Sequence, residues 1–178
     1  DWRKNLLEYT ESFDNSYWLK FQCTVTPDTT SAPDGAQTAD KLVENTATNN
    51  HYVQATATAN GKGLTGTCYV KAGERSFVRL RFGSTSSNVR VWYNLSNGTV
   101  DSLDSGATAS IEDVGNGWYR CSITEMGNRV SGNVELQVFI QTAGSFQSSY
   151  TGDGTSGIYV WGAQLEEAST ASSYQPIL

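Results

Sequence analysis

Histidine occurs once in the 178 residues, methionine once and proline three times. A single histidine excludes a multi-histidine metal centre. It also leaves His51 as the only imidazole for a Ser-His-Asp or Cys-His pair. Neither a Gly-x-Ser-x-Gly elbow nor a phosphate-cradling glycine motif occurs. Charged residues are 17% of the chain, below the usual ~25%. Twelve Lys and Arg stand against 18 Asp and Glu, a net charge of −6. Such a chain lacks the global field of a nucleic-acid binder, and no nucleic-acid partner is expected. No stretch approaches the ~18 apolar residues of a membrane span, so no membrane insertion is expected. Neither end has the layout of a signal peptide. The start at Asp1 rather than Met reads as a mature product or an excised domain. Cys23, Cys68 and Cys121 fit no zinc spacing, and an odd number leaves at least one unpaired. Cys68 and Cys121 fall on the apolar phase of candidate strands. The three read as small buried hydrophobes, with one disulfide as the alternative.

What is abundant is Ser and Thr, 40 together, with 17 Gly and 11% aromatics including 5 Trp and 9 Tyr. Thr, Tyr, Trp and Val suit pleated strands, and Gly, Asn and Ser suit the turns between them. This is the profile of an all-β, extracellular-type chain with enough apolar content to fold. No repeat of 20–50 residues and no linker interrupts it. Residues 1–178 therefore read as one domain.

Alternation locates the strands. Residues 39–44 read as a short strand or a helical turn, and 51–58 as a strand. Pro27 to Gly35 reads as loop. Leu64, Gly66, Cys68 and Val70 share one face; Val78, Leu80 and Phe82 share another. Val89, Val91, Tyr93 and Leu95 follow, then the hairpin-turn signal Asn97-Gly98. Residues 107–112 and 118–124 form a pair across Gly115-Asn116-Gly117. Val134, Leu136, Val138 and Ile140 alternate next, and Ile158 to Leu165 is the last strong strand. Regular strands with no convincing long helix predict a β-sandwich or barrel.

One phase of these strands is apolar and must face the core. The opposite phase carries Tyr69, Phe77, Arg79, Arg81, Arg90, Trp92, Trp118, Arg120, Gln137, Phe139 and Gln141. Arg and aromatics concentrate there in a chain otherwise poor in basic residues. Aromatic rings stack on the C–H faces of sugars, and planar Arg and Gln hydrogen-bond the hydroxyls. Arg also pairs with carboxylate or sulfate groups. Trp92 and Trp118 are the expected platforms, with Arg79, Arg81, Arg90 and Arg120 as partners and Tyr69 and Gln141 beside them. The competing reading stacks Arg on Trp within the sheet, or sets this face against a second sheet or subunit.

His51 reads as a surface histidine, Trp161 as a core anchor and Trp18 as a lid over the sandwich end. Glu166-Glu167 reads as an exposed strand end. The loop from Ala143 to Gly157 carries Phe146, Tyr150 and Asp153, and reads as solvated with a ligand contact as the alternative. Glu112, Asp113, Glu125 and Glu135 show no context that marks a glycosidase pair. A structural calcium needs only loop oxygens, which the chain supplies, although no EF-hand pattern is present.

Five segments carry a resemblance. They are Asn5-Leu6-Leu7 with Glu11-Ser12-Phe13 and Trp18; Ala32-Pro33-Asp34-Gly35 with Thr38 to Leu42; and Tyr69 to Gly73. Gly115 to Cys121 and Gly157 to Glu166 complete the set. Together the chain resembles, over nearly its whole length, the carbohydrate-binding-module-like jelly-roll domains of phage tail and virion proteins, also found attached to polysaccharide-degrading enzymes. The more specific segments are Gly-Trp-Tyr-Arg and Trp-Gly-Ala-Gln-Leu-Glu. The resemblance implies a two-sheet antiparallel β-sandwich, often in a trimeric or otherwise oligomeric appendage on an extracellular or virion surface. The expected function is non-catalytic binding of a polysaccharide, including an acidic one, by the Arg and Trp face. The alternatives are a structural module of a tail or virion and, third, a small glycan-cleaving enzyme.

Overall fold

The computed structural model describes residues 4–84 and 87–178; the stretch between Phe82 and Val89 reads in sequence as a Ser/Gly loop, and its Thr85 and Ser86 lie outside the described residues. The described residues form strands and no helix. In chain order these are β1 (Leu19–Phe21), β2 (Cys23–Thr30), β3 (Ala39–Glu44), β4 (Thr48–Asn49) and β5 (Tyr52–Asn60). Next come β6 (Leu64–Ala72), β7 (Phe77–Gly83), β8 (Asn88–Asn94), β9 (Thr99–Leu103) and β10 (Ala107–Gly115). The last are β11 (Trp118–Glu125), β12 (Ser131–Gln141), β13 (Tyr150–Thr151) and β14 (Gly157–Glu166).

Twelve strands form two six-stranded antiparallel sheets, the jelly-roll sandwich expected. Sheet A has the order β1-β5-β12-β7-β8-β9 and sheet B the order β10-β11-β6-β14-β3-β2. The pair β13-β4 is a small clasp at one end. Register aligns the apolar phases. Leu136 opposes Phe82, Val138 opposes Leu80 and Ile140 opposes Val78; Leu80 in turn opposes Val91. These side chains are buried against Leu64, Cys68, Val70, Cys121, Ile123 and Val160 of sheet B. A one-residue slip would turn every one of them to solvent, so burial fixes the register.

Several expectations change. Residues 39–44 are strand, and β2 runs through Pro27, which sequence reading assigned to a loop. Proline is tolerated there because β2 is the edge of sheet B and its register breaks between Thr26 and Thr30. Trp18 is no lid: it is enclosed in the main core, its ring 4.5 Å from Phe13. His51 is fully buried, with Nδ1 2.7 Å from the Gln22 carbonyl oxygen, because β4 and β13 close over it. All three cysteines are buried and free, although Cys68 and Cys121 are cross-strand partners.

The outer face of sheet B is covered over β6 and β14, while β10 and β11 line an open cleft of about 360 Å³ with Ser110, Glu112, Arg120 and Ser122. The C-terminal segment folds back over β6 and β14, with the Ile177 carbonyl accepting from Thr10 N at 2.9 Å and Gln175 N donating to Gln164 Oε1 at 2.8 Å. Under this cover Trp118 and Trp161 pack with Ala32 and Ala39, flanked by Tyr69, Tyr159 and Tyr174. Trp161 is buried as expected, but in this second cluster rather than between the sheets. Glu166 is buried rather than exposed, since the same segment returns Ser172 N and Oγ to its carboxylate at 3.2 and 3.1 Å.

Candidate functional site

The outward residues expected to form one constellation lie on opposite sides of the sandwich. Arg79, Arg81, Arg90, Trp92 and Gln141 belong to sheet A; Tyr69, Trp118 and Arg120 belong to sheet B. The alternation gave each side chain its face correctly, but two outer faces back to back cannot share one ligand. On sheet B each of the trio has an internal partner, and Arg120 also lines the cleft of about 360 Å³ over β10 and β11. Trp118 is buried with Nε1 donating to the Ser31 carbonyl at 3.0 Å. Arg120 lies 5.5 Å over the Tyr69 ring and donates to the Ser172 carbonyl at 2.8 Å. Here Arg stacks on Tyr; the competing expectation of Arg on Trp within the sheet is met on sheet A, where Arg79 and Arg90 lie over Trp92.

On sheet A the outer face is a cleft of about 360 Å³. Its walls are Arg79 and Arg81 of β7, Asn88 and Arg90 of β8, and Gln137 and Phe139 of β12, with Asn50, Tyr52 and Ser148 at the rim. Strand pairing assembles it: Arg79 sits between Phe139 and Trp92, and Arg81 between Gln137 and Arg90. An aromatic row runs along one side of the cleft and reaches its lining at Tyr52 and Phe139. Phe21, Tyr52 and Phe139 form this row, with ring separations of 4.9 and 4.5 Å.

The three guanidiniums differ in their partners. Arg90 is neutralised by a forked pair with Asp104, at 2.8 and 3.1 Å. Arg81 donates to Asn88 Oδ1 at 2.8 Å and to Gln137 Oε1, both neutral acceptors. The Glu135 carboxylate converges with the Arg81 guanidinium on the same side of Gly83 and stops short of an ion pair. Arg79 is 3% exposed and lies 3.7 Å over the Phe139 ring. It donates to the Gln147 carbonyl at 3.3 Å and to Asn50 Oδ1 at 3.1 Å, while its Nε is buried without a partner. Among the described residues, no carboxylate pairs with either Arg79 or Arg81. Burial, then the charges of Arg90 and Arg81, brings the Arg79 guanidinium down to about 10. It stays charged at neutral pH, a cation short of an anion.

Trp92 is not the open platform expected. It is buried, with Nε1 donating to the Gln147 carbonyl at 2.9 Å. Phe146 stands edge-on over it at 5.2 Å, and the Arg79 and Arg90 guanidiniums lie 5.3 and 5.1 Å from it. Gln141 is also buried and holds the same loop, donating to Gln147 Oε1 at 2.8 Å. That Gln147 oxygen accepts in addition from the amides of Thr142 and Ala143. Asp101 Oδ2 accepts from Ser145 N at 2.6 Å. A Cβ on Gly144 would lie 1.9 Å from this oxygen, so only glycine admits the carboxylate. The bonds hold Ser145 and Phe146 at φ of 55° and 60°. Each such non-glycine residue costs about 1–3 kcal/mol, and a bulky one is rare there.

Sequence reading missed Asn50, Tyr52, Asn88 and Ser148. Tyr52 was within reach, since the alternation of 51–58 places it on the outward phase. Asn50, Asn88 and Ser148 lie outside or at the ends of regular strands, where no period applies. Among the described residues no three His, Cys, Asp or Glu side chains gather as a metal set.

No family model and no curated protein matches the chain. Among solved structures it is similar to TmCBM61 in complex with β-1,4-galactotriose, at 9% identity and a TM-score of 0.56, over 93% of this chain and 99% of that one. It is also similar to the enzymatically active domain of bacteriophage CBA120 tailspike protein 4, at 14% identity and a TM-score of 0.54. That match covers 90% of this chain but 21% of the tailspike chain, so the present chain spans about a fifth of it. The fold is a carbohydrate-binding-module-like β-sandwich.

Proposed function

We propose that this domain binds a polysaccharide without cleaving it, through the outer face of sheet A, and that the sugar it favours is acidic. The observation that carries the reading is a cleft lined by three arginines and no carboxylate in a chain of net charge −6. Arg79 and Arg81 make hydrogen bonds only to neutral groups. A uronate carboxylate or a sulfate ester supplies the missing charge, while Asn50, Asn88, Gln137 and Ser148 supply hydroxyl partners. Tyr52 gives the cleft a half-buried apolar rim, the Phe139 ring being covered by the Arg79 guanidinium. The lining holds no carboxylate or histidine to act as acid or base, so it binds rather than reacts. A domain of similar fold, TmCBM61, holds a galactotriose. Such a ligand suits a protein at an extracellular or virion surface.

The test is a panel of neutral, uronate-rich and sulfated polysaccharides, with Arg81→Gln beside the wild type. The expected result is retention on acidic polymers, weakened by salt, and a loss of about ten- to a hundredfold in the variant. Equal binding of both proteins removes Arg81 from the site. No retention by any polymer, together with a stable oligomer that covers sheet A in sedimentation, makes the domain an assembly module.

A further inference from the structure

Phe146 is the most exposed aromatic side chain among the described residues, at 51%, and it lies beside the cleft rather than in the core. It rests on the indole of Trp92, on which the Arg79 and Arg90 guanidiniums also lie. Two residues further on, Ser148 lines the cleft itself. The ring is therefore at the rim, with one edge supported and its surface open.

The backbone beneath is held there against its own preference. Ser145 and Phe146 are consecutive left-handed residues, and neither is Gly, Asn or Asp. Asp101, Ser102 and Gln147 over-determine that geometry: Ser145 N donates to Asp101, Phe146 N donates to Ser102 Oγ at 3.3 Å, and the Gln147 side chain gathers the amides of 142 and 143. Gly144 is the close approach that admits Asp101. A loop that needed only to cover Trp92 could fold its aromatic ring inward. Here the strain places half of a large apolar ring in water, on the indole that also carries Arg79, a guanidinium without a carboxylate partner, the arrangement expected at a preorganised binding site.

Resting on the reading of sheet A as the glycan face, we propose that Phe146 is the ring against which a sugar packs at the rim of the cleft. Trp92 is a positioning residue beneath it and does not touch the ligand. The ligand class is a pyranose chain that sets a C–H face on Phe146 while an anionic group on the same or the next residue enters toward Arg81. The two contacts have different physics: packing on the ring is insensitive to salt, whereas the guanidinium contact is screened.

The experiment takes the polysaccharide that the wild type binds best and measures its affinity at low and high salt for wild type, Phe146→Asn, Phe146→Tyr and Arg81→Gln. Asn tolerates the left-handed backbone, so the loop keeps its shape without the ring. Phe146→Asn is expected to lose about tenfold in affinity, by the same factor at both salt levels, and to keep the wild-type Tm. Phe146→Tyr restores binding. The Arg81→Gln deficit shrinks as salt rises. Sugar ring protons shift upfield in the wild-type complex and not in the Phe146→Asn complex. Unchanged affinity in Phe146→Asn overturns the proposal while leaving the glycan reading intact. A large fall in Tm with no upfield shift in the wild type reduces Phe146 to a cover for Trp92 and overturns it too. A wild type that binds nothing in the panel removes the parent reading and this one with it.

Discussion

An indole on the outward phase of a strand is available to a ligand only where nothing crosses above it. Trp92 meets that condition in sequence and fails it in space, because residues 142–149 lie across it and take its N–H. Trp92→Ala is therefore expected to destabilise the domain by about 3–5 kcal/mol, the cost of an aromatic cavity; urea unfolding measures it. Asp40 makes a second residue-level case. Its buried carboxylate accepts from the amides of Phe13 and Asp28 at 2.8 and 3.0 Å. Burial, opposed by those two amides, pushes its pKa up to about 6. The unfolded chain releases that proton near pH ~4. Between these two values the unfolded state binds fewer protons, so stability falls as pH rises and is level above about 6. Relative to Asp40→Asn, the wild type should lose about 2 kcal/mol across that window; a pH-independent difference would refute the assignment. Asp153 does not blur the measurement. The Ser156 hydroxyl and the Thr155 and Ser156 amides hold it well below the ordinary carboxylate range. Burial also pushes the Cys23 and Cys68 thiols up to about 12 and raises Cys121. A thiol reagent should thus label none of the three in the folded domain and all of them in denaturant.

At the scale of elements, the period-two pattern reports a strand and its buried side, and it did so for β6, β7, β8, β11 and β12. It does not report what crosses the other side. Glu44 shows how such a crossing is held. From the end of β3 its buried carboxylate takes Arg75 Nε and Nη2 at 3.1 and 2.5 Å, the Tyr150 hydroxyl at 2.6 Å and Asp153 N at 2.9 Å. One side chain so ties β3 to the β6–β7 turn and to the loop that follows β13. Glu44→Ala should cost about 1–3 kcal/mol by leaving the Tyr150 hydroxyl and the Asp153 amide without their acceptor, while Arg75 keeps Asp153 at 3.6 Å. The segment 150–156 should then become the first site of limited proteolysis, which mass spectrometry of the fragments would locate. Nothing local in the sequence marks this set, because its members are 31 to 109 residues apart.

For the whole molecule, the two outer faces have separate fates. Sheet B gains a second aromatic cluster beneath the C-terminal segment and keeps a cleft over β10 and β11, while sheet A carries the arginine-lined cleft. Ending the chain after Ala168 removes Tyr174 and uncovers Trp161 and Tyr69, on which its ring packs. We expect this truncation to lower Tm by roughly 5–10 °C, as a loss of 2–3 kcal/mol does in a domain of this size. It should also create dye-binding apolar surface while leaving sheet A intact. The sequence by itself determined the class: aromatic and β-branched alternation, glycine- and serine-rich turns, and a single histidine, too few for a multi-histidine metal centre. It also determined which side of each central strand is buried, since alternation is a local property of the chain. Only the tertiary structure decided which strands are neighbours, and with that the division of Arg79, Arg81 and Arg90 from Trp118 and Arg120. Pairs such as β5 with β12 join segments some eighty residues apart, with Gln54 opposite Gln137. Backbone hydrogen bonds are the same for every side chain, so sheet membership is selected by the packing of the whole core rather than written in any one strand.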